Sequence, residues 1–133
     1  MQKYRYFILL GTLLLAGCSL YEETRIVDRT EKELARNFAT TPDVLSRSTY
    51  GGLEEGGDVA LIKLSDSDCS ALRHDFAQTR QVQPNTREYD TFRNLDLTPS
   101  TVSFGHWTDN AGADTVYLLD NASCVLYRQA HFE

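Results

Sequence analysis

Three cysteine thiols are the most reactive side chains in this 133-residue chain, and their spacing limits their chemistry. Cys18, Cys69 and Cys124 lie far apart, and no C-x-x-C motif is present. A thiol can be modified, oxidised to a disulfide or bound to a metal ion, but metal sites usually take several ligands at close spacing. The spacing of the cysteines therefore argues against a metal centre.

The N-terminus has the three parts of an export signal. Lys3 and Arg5 give a positive start, and no acidic residue occurs before Glu22. An apolar run follows over residues 6–15, and small residues then lead to Cys18. The run is shorter than the roughly 20 residues that a membrane-spanning helix needs. The segment therefore predicts export, with removal of residues 1–17.

Residues 15–18, Leu-Ala-Gly-Cys, resemble the lipobox of bacterial lipoproteins. The resemblance covers only the first eighteen residues. It implies that Cys18 is lipidated, that the signal is cut before it, and that the new amino group is acylated. Ser19 follows where an aspartate would favour the inner membrane, which implies an outer-membrane anchor facing the periplasm. The alternative is a plain signal peptide in which Cys18 is incidental.

The mature chain is short and acidic. Removal of residues 1–17 leaves 116 residues, with 11 basic and 19 acidic side chains. That length suits one domain. The negative balance disfavours nucleic acid, argues against docking on anionic lipid through a basic patch, and favours a basic partner or simple solubility.

A disulfide follows from the lipobox resemblance. If lipid consumes Cys18, an even pair of cysteines remains in an exported protein. An oxidising periplasm permits a bond between them, so we expect a Cys69–Cys124 disulfide. The alternative is two buried free thiols.

The remaining polar groups match no catalytic or metal motif. The chain has no G-x-S-x-G, H-E-x-x-H or S-x-x-K pattern that would include His74, His106 or His131. The acidic residues at 66–68 and 109–114 fit helix capping and turn chemistry better than a calcium loop. The sequence therefore predicts no catalytic residue, metal or cofactor.

Aromatic side chains in the C-terminal half are the main candidates for partner contacts. Alternation along strands makes some of them face away from the helices, and exposed apolar patches often mark interaction sites. A glycine-bracketed acidic loop is a second candidate. The expected contacts are Trp107, Tyr117, Tyr127, Glu54 and Glu55. The alternative is that the N-terminal helix or the segment 79–100 covers that face of the sheet.

Two helices and four strands are predicted from hydrophobic spacing. A capping-box pattern at 30–33 predicts a helix over 31–39, and Cys69, Leu72 and Phe76 mark one face of a helix that ends near 78. Residues 44–50 are ambiguous between a strand and a helical turn. The predicted strands are 59–64, 102–107, 115–119 and 124–132.

This order of elements predicts an α+β domain. We expect an antiparallel sheet of about four strands, with one or two helices packed on one face and a single disulfide. Residues 18–28 would form the lipidated N-terminus and a short tether, and residues 29–133 the single domain.

The leading functional hypothesis is a non-enzymatic, lipid-anchored domain that binds another envelope protein. It would act as an accessory or pilot of an envelope machine, or as an immunity or inhibitor protein. The alternatives are a small-ligand or glycan binder that stacks its ligand on Trp107 and tyrosines, and a minor envelope hydrolase.

Overall fold

Five antiparallel strands form one sheet in the computed structural model, which describes residues 22–51, 56–78, 101–109 and 112–132. The order across the sheet is β1-β2-β5-β4-β3. The strands are β1 (Asp43–Gly51), β2 (Gly56–Lys63), β3 (Val102–Thr108), β4 (Asp114–Asp120) and β5 (Val125–Phe132). The α+β prediction is confirmed, with five strands where about four were expected.

The additional strand is β1, which covers the segment that the sequence left ambiguous. It pairs with β2 from Asp43 to Gly51, and its register shifts between Val44 and Ser46, where Leu45 forms a bulge. The side chains from Leu45 to Thr49 are all exposed. Because these side chains are exposed, the sequence of β1 shows no alternation of apolar and polar residues. The strand is held in place by its main-chain pairing with β2.

Helix α2 (Asp66–Ala77) packs on one face of the sheet. Ser65 caps it by accepting a hydrogen bond from the Asp68 amide at 3.2 Å. The predicted stripe of Cys69, Leu72 and Phe76 is buried, as the i, i+3, i+7 spacing requires. Phe76 packs so closely on β3 that a Cβ on Gly105 would lie 2.5 Å from its ring. Only a glycine therefore fits at that position.

The sheet is buried on both faces at its centre. Gly105 is paired with Tyr117, and Tyr117 with Arg128, so these residues mark the face that α2 covers. On the opposite face, Phe104, Val116 and Leu118 form a buried cluster against which Val102 and Tyr127 pack. Each large apolar side chain that is fully buried contributes about 1.5–3 kcal/mol. Because both faces of β4 are buried, its sequence is a continuous apolar run instead of an alternating one.

The chain divides into two compact units, residues 1–37 and 38–133. In the first unit, residues 22–34 form helix α1, in which Ile26, Val27 and Thr30 are buried. The expected tether, residues 18–28, is therefore helical from residue 22 onward. The described part of the chain contains no helix that is long and apolar enough to span a membrane.

The predicted N-terminal helix is present, but its bounds of 31–39 are wrong: it covers 22–34, and the capping-box pattern lies inside it. The Thr30 hydroxyl donates to the Ile26 carbonyl at 2.8 Å, one turn back, instead of capping a new helix. The helix ends at Ala35, whose φ of 50° is left-handed. The Ala35 amide donates a hydrogen bond to the Lys32 carbonyl, and the Arg36 amide donates one to the Glu31 carbonyl. These two bonds form a Schellman motif.

Candidate functional site

Trp107 and Tyr117 lie on the α2 face of the sheet, but only one of them reaches the surface. Trp107 is two residues beyond Gly105 on β3 and is half-buried. Tyr117 is fully buried on β4, with its ring centroid 6.5 Å from that of Phe76. Helix α2 covers the strand face from which Tyr117 points, so this side chain is not available to a partner and is a core residue here.

Tyr127 lies on the opposite face and is half-buried against the Phe104 cluster. Burial raises the pKa of the Tyr127 phenol, and the Asp120 carboxylate raises it further. Trp107 and Tyr127 therefore face away from each other across the sheet and do not form one stacking platform. Glu54 and Glu55 lie outside the described residues.

A buried arginine, Arg128, was not predicted from the sequence. Arg128 on β5 is 1% exposed, and its Nη1 lies 2.8 Å from Asp58 Oδ1 on β2. Its Nε donates to the Tyr117 hydroxyl at 3.3 Å. The alternation of side chains along β5 could have predicted its burial, because Arg128 lies on the same face of the strand as the apolar Leu126. An arginine at an inward strand position needs such partners, since burying an unpaired charge is very costly.

The cysteine pair is where the sequence predicted it. Cys69 and Cys124 form a disulfide, with their Cα atoms 5.5 Å apart. Cys69 lies in the first turn of α2 and is fully buried. Cys124 has a φ of 55°, so the turn into β5 passes through a left-handed residue at the bridge.

Arg73 fastens the same turn to α2. Its Nε donates to the Asn121 side-chain oxygen and its Nη2 to the Asn121 carbonyl, each at 3.1 Å. Ser103 of β3 donates to the same Asn121 side chain at 3.2 Å. The end of the domain around the disulfide is therefore tied together by both covalent and polar contacts.

His106 has a carboxylate partner on the neighbouring strand. His106 Nε2 lies 3.3 Å from Asp114 Oδ1, and the Thr108 hydroxyl donates to the same oxygen at 2.7 Å. A histidine activates a nucleophile by accepting its proton. Here the Thr108 proton goes to Asp114, so this geometry does not prepare the hydroxyl for attack. His74 is exposed on α2, and His131 is half-buried on β5.

The acidic residues at the start of α2 are used for capping and anchoring. The Asp68 carboxylate accepts hydrogen bonds from the Ser65 hydroxyl and from the amides of Ala39 and Thr40, at 2.9–3.1 Å. Asp68 therefore ties the chain before β1 to α2. Among the described residues, no three His, Cys, Asp or Glu side chains gather as metal ligands.

The outer edge of β1 is the most accessible part of the sheet. Among the described residues, β1 is hydrogen-bonded to β2 alone, and β1 is one of the two edge strands. Leu45 is 56% exposed, and Arg47 follows two residues later. An edge strand offers main-chain N–H and C=O groups to an added strand, whereas a bulge and a charge limit unselective pairing. We define the β1 edge as residues 45–49.

In comparisons with protein-family models, with curated proteins and with solved structures, the chain matched none of them.

Proposed function

We propose that this chain is a non-enzymatic envelope lipoprotein, anchored through Cys18, whose periplasmic domain binds another protein. The lipobox at residues 15–18 supports the anchor, and Ser19 supports the outer membrane. The Cys69–Cys124 disulfide supports export, because such bonds persist in oxidising compartments. In this proposal lipid takes one cysteine and the disulfide takes the other two.

The observation that carries the binding role is the β1 edge. Five successive side chains there are exposed on a strand that is nevertheless paired with β2 on both sides of the bulge at Leu45. A partner strand added to this edge would gain main-chain hydrogen bonds, and its side chains would meet Leu45 and Arg47. The role would be that of an accessory or pilot protein, or of an immunity or inhibitor protein. The acidic mature chain would favour a basic partner.

Metabolic labelling with a palmitate analogue tests the anchor. The wild-type chain should incorporate the label and partition with the membrane fraction, because Cys18 would carry the acyl chains. Cys18→Ser should incorporate none, whereas the doubly substituted Cys69→Ala/Cys124→Ala chain should still be labelled. Label that survives Cys18→Ser would rule out this anchor.

Site-specific photocrosslinking in cells tests the binding surface. A photoreactive phenylalanine analogue at Ser48, on the β1 edge, should give one discrete adduct. The same analogue at Ser70, an exposed position on α2, serves as the matched control and should not. Arg47→Glu should remove the Ser48 adduct. Equal adducts at both positions, or none at Ser48, would reject the β1 edge as the partner site.

A further inference from the structure

We propose that helix α1 docks on the anionic phospholipid surface that holds the anchor, through a basic stripe formed by Arg25, Arg29 and Lys32. The inference rests on the proposed lipidation of Cys18 for its location. It revises the expectation from net charge, because a whole-chain balance does not describe the charge of one helix face.

Helical geometry places the three basic residues together. They follow one another at i, i+4 and i+7, so at about 100° per residue they fall within a sector of about 60°. All three side chains are exposed. The buried residues Ile26 and Thr30 lie about 100–140° further round the helix. The basic stripe is therefore separate from the buried side of α1.

The acidic residues of α1 are arranged differently. Glu33 is buried, and Glu22, Glu23 and Glu31 are half-buried, whereas Asp28 is exposed. Asp28 lies about 60° to one side of Arg25 and Glu22 about 60° to its other side, so a carboxylate borders the stripe on each side. Acidic residues outnumber basic ones between 22 and 34, yet three of the five exposed positions are basic. The solvent-facing stripe is therefore locally positive on an acidic protein.

The chain between the anchor and α1 is short. Cys18 and Glu22 are joined by four residue steps, which span at most about 14 Å. The stripe itself extends over about 10 Å of helix. Electrostatic attraction to a charged surface is felt within a Debye length, about 8–10 Å at physiological salt. Each basic residue near an anionic membrane strengthens binding about fivefold.

A single anion is a poorer fit than a lipid surface. A shallow depression at the end of α1 is lined by Asp28, Glu31, Lys32 and Arg36, together with Ala35 and Asn37. Its two carboxylates would oppose a bound phosphate. A bilayer presents many headgroups at once and needs only the outward stripe, so anionic headgroups are the better match.

Vesicle co-sedimentation tests the stripe without the anchor. The mature polypeptide, residues 18–133 with Cys18→Ser, should bind vesicles of which one lipid in three is phosphatidylglycerol. It should bind pure phosphatidylcholine vesicles much more weakly, and about 1 M NaCl should release it. Arg25→Glu/Arg29→Glu should weaken binding by about 30-fold or more. Circular dichroism checks that each variant is folded.

A charge-matched pair of variants separates the stripe from net charge. Arg29→Glu and Lys63→Glu change the charge equally, but Lys63 is an exposed residue at the end of β2. Arg29→Glu should weaken binding about fivefold or more, Lys63→Glu should change it less than twofold, and Arg29→Lys should preserve it. Equal losses for the two glutamate variants, or binding that ignores phosphatidylglycerol, would overturn the proposal.

The outcome is distinguishable from that of the anchor. If palmitate labelling fails while phosphatidylglycerol binding persists, the lipidated anchor is wrong and the stripe stands. If labelling succeeds while binding ignores phosphatidylglycerol, the anchor stands and the stripe is wrong.

Discussion

Arg128 is a buried cation whose charge is balanced by the Asp58 carboxylate. Its side chain is 2% exposed, whereas that of Asp58 is 17% exposed. Removal of one member of a buried ion pair leaves an uncompensated charge, which costs about 3–5 kcal/mol. Removal of Asp58 should therefore lower the free energy of unfolding more than removal of Arg128, because the remaining Asp58 carboxylate is more accessible to water.

Asp58→Ala should lower the free energy of unfolding by about 3 kcal/mol, because it leaves the guanidinium buried and without its carboxylate. Arg128→Met should cost less, since Met fills similar space and water can reach the remaining carboxylate. Urea unfolding of both variants and of the double variant measures this difference. A larger loss for Arg128→Met than for Asp58→Ala would contradict it.

Tyr127 gives the domain a dependence on alkaline pH. Its pKa is raised above 10.0 in the folded state, first by burial and then by Asp120. Between pH 10.0, where the unfolded phenol titrates, and the higher pKa of Tyr127 in the folded state, the folded state holds a proton that the unfolded state has lost. The stability of the folded state therefore decreases as the pH rises above about 10.

Tyr127→Phe should remove this component. The stability of the wild type relative to Tyr127→Phe should be constant below about pH 9 and should fall above pH 10. Asp120→Asn should lower the Tyr127 pKa, which phenolate absorbance reports after subtraction of the Tyr127→Phe titration. A difference in stability that grows in favour of the wild type above pH 10 would reverse the assigned sign.

At the scale of elements, α1 ends at an alanine in a left-handed backbone conformation that glycine adopts more easily. Ala35 adopts a φ of 50° in the Schellman motif, where glycine has no Cβ to clash. Ala35→Gly should therefore raise the free energy of unfolding by about 0.5–1 kcal/mol, despite the larger entropy of glycine when unfolded. Thermal unfolding checks this, with Ala77→Gly in the last turn of α2 as a control that should destabilise.

The disulfide joins α2 to the turn before β5. It closes a loop with a sequence separation of 55 residues, for which the chain-entropy model gives about 4 kcal/mol. Cys69→Ala/Cys124→Ala should lose stability of that order in urea. Reduction of the wild-type disulfide should lower the free energy of unfolding by a similar amount, because it removes the same cross-link. A loss below about 1 kcal/mol would show that the contacts of Arg73 with Asn121 suffice to hold the turn.

At the scale of the whole molecule, α2 and the strands with buried side chains were predictable, whereas β1 and the bounds of α1 were not. The α2 stripe and the β3–β5 meander carry apolar spacing that burial requires. β1 carries none, because its side chains from Leu45 to Thr49 are exposed and the strand is ordered by its pairing with β2. The Thr30 capping pattern misled because a threonine can also bond back within a helix.

The candidate contacts were only partly predictable for a similar reason. Alternation separates Tyr117 from Val116, but it does not say which face α2 covers. That choice depends on the fit between Phe76 and Gly105, which are far apart in sequence. Tyr117 is therefore in the core, whereas Trp107 and Tyr127 keep partial exposure on opposite faces.

β5 is the last of the five strands along the chain, yet it lies between β2 and β4 in the sheet. Until it pairs, β1–β2 and β3–β4 are two separate hairpins, each without its inner neighbour. Such long-range pairing is slow, because loop-closure entropy is lost before the contacts form. If the chain is exported behind the N-terminal signal expected at residues 1–17, its N-terminus crosses first, and the sheet cannot close until β5 has crossed the membrane. The strand order would therefore keep the two hairpins separate on the far side of the membrane until translocation reaches β5.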